Sequence, residues 1–105
     1  MAQRIFGAGS AGPTSITSGQ RISISSINAM HLTTDHVPCC FVWLGAPPDG
    51  SNTDTVMVGG SSSTSTGIPI VPGNYEGVTI SINDAYSIFV KSVNGSQKLN
   101  YVILA

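Results

Sequence analysis

Residues 77–105 read GVTISINDAYSIFVKSVNGSQKLNYVILA, and this stretch decides the fold. Val78, Ile80 and Ile82 alternate with Thr79 and Ser81. That period of two marks a strand with one face buried. Asn83-Asp84 turns the chain. Tyr86 to Val93 reads as the next strand, with Tyr86, Ile88 and Val90 on one face and Phe89 and Lys91 on the other. Asn94-Gly95 is a hairpin signal, joining that strand to Leu99–Leu104, which is apolar on both faces. A strand that runs almost to the last residue should tie the C-terminus into a sheet.

The same period extends upstream. Cys39, Phe41 and Trp43 fall on one face of a strand and Cys40, Val42 and Leu44 on the other. An apolar residue at every position predicts cover on both sides, with Trp43 in the core. Ala46-Pro47-Pro48-Asp49-Gly50 ends that strand with turn residues. Asp54 to Val58 is a short strand with Val56 and Val58 inward. GGSSSTSTG (59–67) is a flexible low-complexity loop. Gly67 to Ile70 is an edge segment, because Pro69 cannot donate to a ladder. Gln20 to Thr33 is one long strand, or two short ones joined at Ser25–Asn28. Ile22, Ile24, Met30 and Leu32 share one face.

Residues 1–19 read as an extended arm, with Gly7, Gly9, Gly12, Pro13 and Gly19 opposing regular structure. Residues 20–105 form one domain. The class is all-β: a small antiparallel β-sandwich or jelly-roll-like barrel of seven to eight strands with an extended N-terminal arm.

Charge is scarce. Only 9% of the 105 residues are Asp, Glu, Lys or Arg, and the net charge is −1, against about 25% charged in an ordinary domain. Four basic residues give no footprint for nucleic acid, and no stretch approaches membrane-spanning length. A surface this poor in charge lacks the usual device for keeping domains apart. It points to a homo-oligomer or to cover by a partner. No leader pattern is visible behind Met1. The expected location is a cytoplasm, or a particle assembled there.

Catalysis needs titratable groups that converge. Asp49, Asp54 and Asp84 sit in turns and Glu76 in a loop. His31, Asp35 and His36 are the one cluster, beside the adjacent thiols Cys39 and Cys40. No third histidine or spaced cysteine pair completes a metal site, and no nucleophile-elbow or phosphate-loop pattern is present. No catalytic residue, cofactor or metal is expected, and the two cysteines read as reduced, mostly buried thiols. Arg4, Ile5 and Phe6 form an apolar-basic patch suited to a partner. Tyr75 is the aromatic best placed for a loop contact.

Val58-Gly59-Gly60, the Ser/Thr-rich run, GIPIVPG (67–73), Val78–Ile82, Asn83-Asp84, Ser87–Val90 and Asn94-Gly95 occur in that order. From Pro38 to Ala105 the chain resembles a group of short bacteriophage virion proteins. The resemblance implies a non-enzymatic head protein of the decoration or cement type, or a domain of a head fibre. It also implies binding to a major capsid protein or another virion protein, and a location in the virion. Phe41-Val42-Trp43 is bulkier than that strand in the group, and the arm has no counterpart there. The alternative is a carbohydrate- or host-binding module of a fibre or tail.

Overall fold

A computed structural model describes residues 15–16, 19–61 and 67–105. The chain is all-β. Among the described residues there are eight strands, β1 (Gln20–Ile24), β2 (Met30–His31), β3 (Phe41–Gly45), β4 (Val56–Gly59), β5 (Ile68–Ile70), β6 (Val78–Ser81), β7 (Phe89–Ser92) and β8 (Gln97–Leu104). They form two four-stranded antiparallel sheets. Sheet A has the order β1-β8-β3-β6 and sheet B the order β2-β7-β4-β5.

Alternation places the core between the sheets. Sheet A contributes Ile24, Val42, Leu44, Leu99, Tyr101 and Ile103, and sheet B contributes Val56, Val58, Ile70 and Val90. Each such aliphatic side chain contributes about 1.5–3 kcal/mol on burial. Register keeps these residues in step: Val42 lies opposite Ile80 and Ile103, and Val56 opposite Ile70 and Ser92. The edge position expected for Pro69 is borne out by β5.

Gln20–Thr33 resolves into two strands in different sheets. Ser25 Oγ accepts the Ile27 N–H at 3.0 Å, a local bond that competes with a ladder. Ile27 is 80% exposed and Met30 is 37% exposed, so Met30 does not join the buried face with Ile24.

Asn94-Gly95 makes a tight turn, with Gly95 at φ +67, but not a hairpin. It carries the chain from β7 in sheet B across to β8 in sheet A. The reason is edge occupancy. β7 lies between β2 and β4, the Ser92 N–H is taken by Ser25, and the Val93 N–H by Thr55. Among the described residues, β4 and β5 are the one pair of sequence neighbours that also pair in a sheet.

The strand expected from Tyr86 begins instead at Phe89. Ala85–Ser87 is a single 3-10 turn capped by Asp84, whose side chain accepts the Tyr86 N–H. Cys39–Leu44 also differs, because β3 begins at Phe41. Cys39 packs against the core, while Phe41 and Trp43 lie on the opposite, outer face. A bend at Cys40 shifts the alternation by one residue. The C-terminus is tied in as expected. β8 runs to Leu104, Ala105 exchanges two backbone bonds of 2.9 Å with Ser15, and Ile16 bridges Leu104.

Two buried amides complete the frame. β3 ends at Gly45, and Pro47 and Pro48 lack the N–H to continue its ladder. Asn52 replaces it further along. Its Nδ2 donates to Lys98 O (2.8 Å) and its Oδ1 accepts the Lys98 N–H (2.6 Å). Gln97, 3% exposed, accepts the N–H groups of Thr53 and Asp54 and donates to Asn94 O and Thr53 Oγ1.

Candidate functional site

The titratable residues singled out in the sequence meet where loop 32–38 folds over the 3-10 turn. His36 Nδ1 lies 2.5 Å from Asp84 Oδ2, and Asp84 Oδ1 accepts the Val37 N–H at 2.9 Å. The His36 bond first, then the Val37 N–H, holds the Asp84 carboxyl below its ordinary value. His31 Nδ1 donates to the Tyr86 carbonyl at 2.5 Å. Its ring stacks on Tyr86 with centroids 3.7 Å apart and tilts against Phe89 at 4.2 Å. His36 packs on Tyr86 at 4.4 Å. Asp35 contributes its carbonyl, which accepts from Thr33 Oγ1.

Each imidazole therefore has a structural partner. Cys39 donates its thiol to Ile82 O at 3.2 Å. Burial pushes that thiol upward, and the Asp84 charge adds to the shift, which is opposite to the activation of a nucleophile. The two cysteines are not joined, and both are half-buried. Among the described residues no group of three or more His, Cys, Asp or Glu gathers to hold a metal.

A second assembly lies on the outer face of sheet A, where the sequence placed core. In register across that face, Phe41 pairs with Leu104, Trp43 with Val102 and Gly45 with Asn100. Trp43 is half-buried. Its indole N–H donates to Glu76 O at 2.7 Å, and its long edge rests on two glycines. A Cβ on Gly45 would come within 2.6 Å of the ring, and one on Gly77 within 2.9 Å. Beside it, Arg21 donates to Asn100 Oδ1 at 3.2 Å and to Asp49 Oδ2 at 2.8 Å. The position of Trp43 two residues before a glycine is a signal for this arrangement. The partners Arg21 and Asn100 carry none, since they meet only through the β1–β8 register.

Of the predicted contact residues, Tyr75 is 56% exposed and sits in the connection between β5 and β6. Arg4, Ile5 and Phe6 lie outside the described residues, as does most of the Ser/Thr-rich loop. Ile16, Ile27, Ile68, Val71 and Val93 are also exposed. Ile16 marks where the N-terminal segment joins the domain, beside Leu104 on sheet A.

Comparison with protein-family models, curated proteins and solved structures finds no match to this chain.

Proposed function

We propose that this chain is a non-enzymatic structural subunit of a bacteriophage particle, a decoration or cement protein that binds the head shell. The observation that carries the reading is the combination of large exposed apolar side chains, among them Ile16, Ile27, Ile68, Val71, Tyr75 and Val93, with a composition only 9% charged. Such a surface is unfavourable in water and favourable against a partner. The resemblance from Pro38 onward to short virion proteins supports a major capsid protein or another virion protein as the partner, and the sparse charge supports a neighbouring copy of this chain.

In this reading the sandwich is a rigid plug. It stabilises the shell because it binds the assembled state alone, which shifts the assembly equilibrium by mass action. The N-terminal segment, held at Ser15 and Ile16 on the edge of β8, adds a second contact through Arg4, Ile5 and Phe6. Copies associate as a homo-oligomer, with a trimer expected.

Electron microscopy and quantitative mass spectrometry of purified heads from the encoding phage test this. The expected result is stoichiometric occupancy of shell sites, reduced when residues 1–14 are deleted although the domain still folds. Absence of the chain from purified particles, together with a strict monomer by light scattering, would overturn the reading.

A further inference from the structure

We propose that the cleft between Trp43 and β1 on the outer face of sheet A binds a single neutral saccharide ring. The cleft has a volume of about 290 Å³ and is lined by Gly19, Gln20, Arg21, Trp43, Asn100, Tyr101 and Val102. Small-molecule sites span roughly 300–1,000 Å³, so this one takes one ring rather than a long chain.

Its chemistry is two-sided. Trp43 and Val102, neighbours across the β3–β8 pair, give its lining an apolar part. Asn100 and Arg21, neighbours across the β1–β8 pair, give hydrogen-bond donors along the other side. The face of an aromatic ring is electron-rich and attracts weakly positive C–H groups. A pyranose offers such a C–H face and a rim of hydroxyls that both donate and accept. A purely apolar ring would satisfy Trp43 and Val102 but leave covered donors without acceptors, at a desolvation cost.

Charge narrows the class further. Among the described residues of the lining Arg21 is the one that is charged, and Asp49 lies against its guanidinium at 2.8 Å. An anionic ligand would meet that carboxylate as well. A neutral polyol meets no such opposition and can use the guanidinium N–H groups that Asp49 and Asn100 do not occupy.

The site is also preorganised. Gly45 and Gly77 admit the indole where a Cβ would collide, and Glu76 O anchors its N–H. Asn100 is fixed through Oδ1 by Arg21 Nε. Side chains already held in place lose little entropy on binding. This inference is independent of the decoration reading, because the isolated chain binds a sugar or does not, whatever particle carries it.

Trp43 is the single tryptophan, so intrinsic fluorescence reports on this cleft directly. The probes are the methyl glycosides of glucose, galactose, mannose and N-acetylglucosamine, titrated into the full chain at millimolar concentrations. The expected result is a saturable change in emission with at least one glycoside. Affinity should fall at least tenfold in Asn100→Ala and Arg21→Ala, which keep the fluorophore, with thermal unfolding unchanged. If no glycoside gives a saturable change, or if both variants bind like the parent, the proposal is wrong. Insensitivity to glycosides combined with altered self-association in Asn100→Ala would give the cleft to a second copy, and would equally overturn it.

Discussion

His36 and Asp84, 48 residues apart in sequence, meet with Nδ1 2.5 Å from Oδ2. The other carboxylate oxygen takes the N–H groups of Val37 and Tyr86. One side chain thus closes loop 32–38 onto the 3-10 turn, and an Asx cap acts as a long-range clasp.

The clasp predicts a pH dependence. The carboxyl is held below its ordinary 3.8, first by His36 and then by Val37. The folded state therefore favours the ionised form. Its contribution is present above the unfolded value and is lost as pH falls through the lower folded value. Urea midpoints measured from about pH 5 down to about pH 2 should fall more steeply for the parent than for Asp84→Asn. Equal slopes would refute the clasp. Asp49, also held low by Ser51 and Arg21, is present in both proteins and cancels in the comparison.

Gln97 is the most demanding polar residue of the core. Replacement by Leu keeps the bulk but strips partners from Thr53 N–H and Asn94 O. A loss of about 2 kcal/mol is expected from the orphaned groups, read from urea melts. A change below about 0.5 kcal/mol, within the range of an ordinary surface substitution, would show that water replaces the amide.

Gly77 and Gly45 should respond differently to alanine. At Gly77, φ is +66 and a Cβ would lie 2.1 Å from Leu44 O, so rigid backbone must move. A destabilisation of about 3 kcal/mol is expected. At Gly45 the clash is with the far end of the Trp43 ring, which can swing away. Gly45→Ala should retain the fold while shifting tryptophan emission toward that of an exposed indole. Unchanged emission would mean that the ring does not rest on Gly45.

Cys39 should be a poor nucleophile. Burial and the Asp84 charge both favour its protonated form. In a Cys40→Ser background, iodoacetamide should alkylate Cys39 more slowly in the folded chain than in urea. Equal rates in the two states would contradict the burial argument.

The contrast between Val78–Ser81 and Phe89–Gln97 shows how far the sequence reaches. The alternation of Val78, Thr79, Ile80 and Ser81 is a local property, and β6 lies where it predicts. Asn94-Gly95 also turns as its residues require, yet its two strands join opposite sheets because β2 and β4 already flank β7. No local pattern records which edges are occupied.

Trp43 makes the same point for the candidate site. By itself the sequence determined that β3 is apolar on both faces, that the domain is all-β with seven to eight short strands, and that charge is sparse. Only the tertiary structure decided which face of β3 meets the core and which lies beside Arg21 and Asn100. A period of two defines two faces but does not label them. The label comes from the second sheet, which covers Val42 and Leu44 and leaves Trp43 at the surface.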